Sequence, residues 1–246
     1  MTVTSAASIS GLVLLERATV ADVDFSRAAF ETVAPSGCVF ERCDFRTAKL
    51  DRRLHPLFKA RRRNVFRDCR FDGADLRSID PAASRFERCS FADARIDGWH
   101  AATAEFVECR FSGRIEHVRF YGRPWGPHAA SFEPKRAVNE FRGNDFSAAE
   151  LLDVAFLMGI DVGDQRWPEG DDYVRLDRIH QRLTRGRSEI LKWKDLESRS
   201  EALEMLGALS FLYMQQNDVV ARRVEPLAAA HPEIQQRVWA TLSRTL

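Results

Sequence analysis

No stretch of this 246-residue chain stays apolar for long enough to cross a bilayer. No basic start precedes the short apolar run from Leu12 to Leu15, so a secretory signal pattern is missing and a cytoplasmic location is expected. An excess of one charge is missing too. Against 37 Lys and Arg stand 36 Asp and Glu, a formal net charge of +1, and nothing global advertises nucleic acid or a membrane as partner. Catalytic patterns are equally scarce: the chain has no His pair with metal-ligand spacing on a helix, no phosphate-binding glycine loop and no nucleophile elbow. No enzyme activity and no cofactor are expected. His55, His117 and His128 are the nearest approach to a metal set, but supporting groups that would orient such ligands are not evident.

What the chain does have is a beat of five. Phe66, Phe71 and Leu76 are followed by Phe86, Phe91 and Ile96, then by Phe106 and Phe111, and the beat resumes at Phe141, Phe146, Leu151 and Phe156. Two residues ahead of these stand small ones, among them Asn64, Cys69, Ala74, Ser84, Cys89, Ala104, Cys109, Asn139 and Asn144. Neither a helix nor an isolated strand has this period, and a β-sandwich would show period two between variable turns. A register of five means a stacked solenoid. Residues i and i−2 of an extended chain project to one side, so a bulky i residue fills the interior while a small i−2 residue leaves it room.

A second period lies above the first. VFERCDFRTAKL, VFRDCRFDGADL, RFERCSFADARI, EFVECRFSGRIE and EFRGNDFSAAEL superpose, and VADVDFSRAAF fits the same frame. Phe66, Phe86 and Phe106 are then equivalent positions of successive coils, as are Val20, Phe40 and Phe141. Six coils between Val20 and Asp161, with Leu15 starting a fraying first one, would stack to about 30 Å at strand spacing. The cysteines follow this frame: Cys43, Cys69, Cys89 and Cys109 hold one place in successive coils, and Cys38 the equivalent place one pentapeptide before Cys43. They are expected to pack as small buried hydrophobes rather than to form disulfides or bind zinc.

The segments CDFRT, ADLRS, CSFAD, CRFSG and NDFSA resemble the motif of the pentapeptide-repeat family over about two thirds of the chain. That resemblance implies a mainly β fold, a right-handed quadrilateral parallel β-helix, joined here to a C-terminal α-helical region. Its best-known members protect or inhibit DNA gyrase by imitating duplex DNA, which requires a long, uniformly negative surface. Here the outward columns alternate in sign: Glu41, Arg67 and Glu87 share one, and Arg42, Asp68, Arg88 and Glu108 the next. Neighbours one strand apart then attract, giving a self-neutralising face rather than a DNA mimic.

The beat is interrupted twice, each time where the fourth pentapeptide of a coil belongs, near residues 51–64 and 114–138. Insertions in a solenoid tend to map to one face, often the binding face. The first carries Arg52, Arg53, Lys59, Arg61, Arg62 and Arg63 around Leu54, Leu57 and Phe58. It reads either as a basic lip for an acidic partner or nucleic acid, or as an amphipathic turn packed on the coils. The second contains HVRFYGRPWGPH, whose Arg119, Tyr121, Arg123 and Trp125 are residue types enriched at interface hot spots. It reads either as a projecting contact loop or as a cover with its aromatics buried. Trp99, one coil before, joins the candidate interaction residues.

Residues 1–165 are expected to form the β-helix and 166–246 a helical cap or dimerisation domain. Helices are expected over Tyr173 to Leu183, in a run from Ser188 holding Ile190, Leu191 and Trp193, from a Ser198–Glu201 capping box through Tyr213, and from Pro232 to the end. Val219, Val220, Leu227, Trp239 and Leu242 are the candidates for a homodimer interface. The sequence reads as a non-enzymatic interaction scaffold with an unidentified protein partner. A gyrase-directed inhibitor or protection protein is the alternative, and nucleic-acid binding through Arg61, Arg62 and Arg63 the third reading.

Overall fold

The computed structural model describes residues 13–26, 33–50, 57, 58, 60, 62–126, 129, 132–226 and 228–244. Two compact units divide the chain, Met1–Val154 with Gly163–Pro168, and Ala155–Val162 with Glu169–Leu246.

In the first unit six short strands, Thr19–Ala21, Val39–Glu41, Val65–Arg67, Arg85–Glu87, Glu105–Val107 and Phe141–Arg142, stack in chain order. All are parallel, in the register Val20, Phe40, Phe66, Phe86, Phe106, Phe141. The twenty-residue alignment therefore holds, even across both interruptions. On further faces Ser90–Phe91, Ile96–Asp97 and His100–Ala101 each pair in parallel with the long strand Arg110–Tyr121, whose other neighbour is Asp145–Leu157. Single bridges continue the stacking from Asp24 through Asp44 and Arg70 to Ser90. The result is a β-helix-like stack of parallel coils.

Aromatic residues fill it because each Phe lies above its equivalent at strand spacing. Phe40, Phe66, Phe86 and Phe106 stack face to face at 5.0, 5.1 and 5.1 Å. A second ladder runs Phe25, Phe45, Phe71, Phe91, Phe111, Phe146 at 4.5 to 5.1 Å. The ladders meet edge-on, for example Phe66 against Phe71 at 72°. Such pairs contribute about 0.5–1.5 kcal/mol beyond their buried area. The five cysteines are free and buried. Their thiols donate to carbonyls of the coil before, as Cys69 to Phe40 O, Cys89 to Phe66 O and Cys109 to Phe86 O at 3.3–3.4 Å. Burial pushes the Cys89 thiol well above its ordinary value, so it stays neutral. Corners use left-handed residues at equivalent places, Arg42, Asp68, Arg88 and Glu108, with Gly143 in the next coil. At Gly113 (φ +75°) a Cβ would lie 2.9 Å from Asp93 Oδ1 and 3.1 Å from Asp93 Cα, so a side chain at this corner would crowd the coil before.

Three expectations need correction. Residues 114–121 are not inserted: they complete the strand Arg110–Tyr121, with Ile115 opposite Ile96 and Arg119 opposite His100. That offset is nineteen rather than twenty, and one deleted residue hid the continuation. Nor does stacking stop at residue 165. Arg166 bridges Asp145, and Trp167 stacks on Phe146 at 5.3 Å, extending the second aromatic ladder by a step. Finally, the helix expected from Tyr173 begins as the strand Tyr173–Leu176, antiparallel to Val219–Arg222, with Val174 and Leu176 buried and Arg175 exposed in alternation.

The second unit then continues with α1 (Ile179–Ile190), α2 (Leu196–Leu212) and α3 (Pro232–Arg244). Helix α2 starts before the expected Ser198: Asp195 is its cap and accepts from the Ser198 N–H at 2.8 Å. Helix α3 begins at Pro232 and buries Ile234, Val238, Trp239 and Leu242, as its spacing implied. The homodimer candidates are mostly enclosed within this unit. Val219, Val220, Trp239 and Leu242 are buried, and Leu227 lies outside the described residues. Among the described residues no helix is long and apolar enough to cross a membrane.

Candidate interaction surface at the interrupted side

At the fourth pentapeptide of two successive coils the packing rule is reversed. Ile79 and Trp99, large residues at i−2, are buried, while the i residues Pro81 and Ala101 are small; in the next coil Val118 and Phe120 are both large and buried. Trp99 is therefore core. It is 1 % exposed, its indole N–H donates to Leu76 O at 2.6 Å, and its ring meets Phe91 edge-on at 6.1 Å. It presents nothing to a partner, which corrects its place among the candidate interaction residues.

The first interruption is anchored by its apolar residues. Leu57 and Phe58 are buried, and Phe58 lies 5.8 Å from Phe66 and 6.1 Å from Phe86. Arg61 lies outside the described residues, with residues 51–56 and Lys59. Arg62 pairs with Glu133 at 3.5 Å and Arg63 with Glu105 at 2.5 Å. Arg62 and Arg63 of the expected basic lip thus already hold carboxylates. Where the chain returns to the coil, Asn64 replaces the usual small residue. Its Oδ1 accepts from the Cys38 N–H, and its Nδ2 donates to Pro35 O and Leu57 O. The side chain supplies hydrogen bonds that the broken ladder lacks.

Asn139 has the same task after the second interruption, donating to Ala102 O and Tyr121 O at 3.1 and 2.9 Å. Between Tyr121 and Asn139 runs the true insertion. The two interruptions touch: Arg62 bridges Glu133 in parallel, and the Arg63 N–H donates to Glu133 O at 2.9 Å. Below them, buried Glu105 gathers Arg63, Arg85 and Arg136. Arg136 also donates to Thr103 O. Its burial lowers it from the ordinary arginine value, Glu105 raises it, and Arg63 and Arg85 lower it.

The remaining candidates separate into two groups. Arg119 and Tyr121 belong to the coil body. Arg119 donates to Asp153 Oδ1 at 2.6 Å, and Tyr121, buried, shares a 2.7 Å hydrogen bond with His100 Nε2. Burial raises the Tyr121 phenol from its ordinary value. Arg123 and Trp125 are exposed, Trp125 by 50 %, and no described residue pairs with Arg123. The Trp125 N–H is tied to Ala102 O at 3.1 Å, so its backbone is fixed while its ring is presented. Of the histidines, His117 pairs with Asp97 at 2.8 Å, which raises its pKa, and His55 and His128 lie outside the described residues.

Elsewhere the outward columns pair as their alternating signs require. Asp22 meets Arg42 at 2.7 Å, Asp68 meets Arg88 at 2.8 Å and Glu108 meets Arg142 at 2.9 Å. Arg67 lies between Glu41 at 3.4 Å and Glu87 at 2.6 Å. Sequence reasoning missed Glu105, although Arg85, Glu105 and Glu140 share one outward column of the same alignment. Lys135 and Val138, also exposed, had no periodic signal to mark them.

No family model matches the chain, and no curated protein does. Solved structures of QnrB1, a plasmid-mediated fluoroquinolone resistance protein, are similar to it. One trypsin-treated form is 19 % identical over 63 % of this chain and 69 % of that one, with a TM-score of 0.24. A second is 14 % identical over 68 % and 90 %, with a TM-score of 0.27. The full-length form is 16 % identical over 64 % and 81 %, with a TM-score of 0.19. At these values the likeness assigns neither a partner nor an activity to this chain.

Proposed function

We propose that this protein is a non-enzymatic, cytoplasmic interaction scaffold of the pentapeptide-repeat type, a right-handed four-sided β-helix whose interrupted side binds another protein. One observation carries the reading: Trp125 is half exposed beside Arg123, which has no partner among the described residues, on a backbone fixed to the coils, while charges of the regular faces such as Asp22 with Arg42 and Asp68 with Arg88 are satisfied in pairs. Exposed aromatic and arginine residues on a rigid support are what interface hot spots are made of. Affinity capture with the full chain should lose its partner when Trp125 and Arg123 are both changed to Ala. Unchanged capture would remove this loop from the account.

The pentapeptide-repeat resemblance makes DNA gyrase the first partner to try. The paired regular faces do not offer the uniform negative charge of duplex DNA, so contact with gyrase would be made by the loop. A supercoiling assay with purified gyrase, with and without a gyrase poison, tests this. No effect at micromolar protein would remove the gyrase reading and leave the scaffold reading intact.

A further inference from the structure

Glu105 is a buried carboxylate that a regular coil does not need. It stands just before Phe106, in the column where earlier coils place Val39 and Val65. Only 4 % of its side chain is accessible, and Arg63 lies at 2.5 Å, with Arg85 and Arg136 each at 3.5 Å. The Glu140 N–H donates to it at 3.2 Å. Arg63 closes the first interruption, Arg136 and Glu140 lie at the end of the second, and Arg85 belongs to the wall. A carboxylate taken out of water needs such partners, and removing any of them is costly. Arg63 of the first interruption and Arg136 of the second are thereby coupled through one side chain.

The charge left over around this latch has one sign. Glu133 is held by Arg62, and Glu140 by Arg85 and Arg142. Arg123 and Lys135 are exposed and have no acidic partner among the described residues. Two apolar side chains accompany them, Trp125 at 50 % and Val138 at 59 % exposure. The Asn139 N–H donates to Gly122 O at 2.9 Å, which sets Arg123 and Val138 on either side of the bond that closes the loop. A nucleic acid would be held by a line of free cations along its phosphates. Here the cations of the neighbouring columns are engaged by carboxylates, while the free ones sit beside exposed apolar groups. That combination matches a carboxylate-bearing peptide with apolar side chains.

We infer that the described residues of the two interruptions form one contact surface, held in shape by Glu105 as a positioning residue, and that this surface takes an acidic protein segment carrying apolar side chains. The inference rests on the reading that the Trp125 loop makes the contact.

Fluorescence anisotropy with the full chain tests it. The probes are a labelled peptide of Glu, Leu and Gly, the matching peptide with Lys for Glu, and a single-stranded oligonucleotide. The acidic peptide should bind, more weakly as salt rises, and the other two should not. Arg123→Ala with Lys135→Ala should weaken binding by about tenfold or more. Glu105→Gln, which leaves both cations in place, should weaken it comparably and speed tryptic cleavage after Lys135. Arg136→Gln, which leaves Glu105 two arginines, should do the same if the Glu105→Gln chain fails to fold. No binding of the acidic peptide, equal binding of the oligonucleotide, or full binding by a folded Glu105 or Arg136 variant would overturn the inference. If Trp125→Ala abolishes partner capture while the charge changes leave the acidic peptide bound, the partner class alone is wrong. If Trp125→Ala leaves capture intact, the underlying reading fails.

Discussion

The regular coils and the interrupted side are made from the same chain by opposite rules. In the coils each Phe repeats its neighbour, each thiol meets the carbonyl of the coil before, and outward charges such as Asp68 and Arg88 meet their opposites. Repetition pairs these groups coil after coil and leaves little for a partner to recognise. On the interrupted side Ile79 and Trp99 put the large residue at i−2, asparagines replace ladder hydrogen bonds, and Arg123 and Trp125 remain exposed. Stability resides in the repetition and recognition in its failure.

The sharpest way to break this comparison is to remove one ring from each region. Phe86, stacked between Phe66 and Phe106, should cost about 3–5 kcal/mol as Phe86→Ala. Trp125→Ala should stay within about 0.5 kcal/mol of the parent. Chemical denaturation of the two variants checks both, and a comparable loss at Trp125 would place that residue in the core.

The next effect compares two residues at one coil position. Asn64→Ala leaves the Cys38 N–H and the Pro35 and Leu57 carbonyls without their partner, and should cost about 1–3 kcal/mol. Ser84, one coil later, has a buried hydroxyl with no hydrogen-bond partner among the described residues. Ser84→Ala should be neutral or stabilising. Melting of the two variants side by side separates an asparagine that mends the ladder from a residue that is merely small.

These contrasts show what could be read in the chain. The aromatic register was legible because a Phe every twenty residues leaves no competing pattern, and the bridged pairs Val20–Phe40 and Phe106–Phe141 follow it. Residues 114–121 were not, because a single deletion carries Ile115 out of phase while leaving it opposite Ile96. Trp167 was hidden in the same way: Gln165 stands where a small residue was sought, yet its amide joins the Asn144 N–H and Phe141 O and seats the ring. Tyr173 and Leu176 have spacing that suits a helix turn, and only the pairing with Val219–Arg222 decides for a strand. The candidate site was half legible. Residue types pointed to Arg123 and Trp125, but burial of Trp99 and the converging arginines at Glu105 depend on contacts between distant coils.

Smaller effects test the self-neutralised wall. Arg67, between Glu41 and Glu87, is partly exposed, so Arg67→Met should cost less than about 1 kcal/mol, shrinking as salt rises. A salt-independent loss would show that packing rather than charge holds that column. The smallest effect concerns His117, raised above its ordinary value by its hydrogen bond to Asp97. A raised histidine stabilises the fold fully below its unfolded value, and that contribution is lost as pH rises through the folded value. His117→Asn should therefore melt below the parent in acidic buffer, by well under about 1 kcal/mol for so exposed a pair. It should match the parent above neutrality, and the reverse trend would exclude the ion pair.

The division of labour itself is tested most directly by affinity capture with two double variants. One carries Arg123→Ala and Trp125→Ala; the other carries Arg46→Ala and Arg70→Ala, both on the regular wall and paired there with Asp44 and Asp72. The first should lose the partner and the second should keep it. Retention by the first, or loss by the second, would contradict the assignment of recognition to the interrupted side.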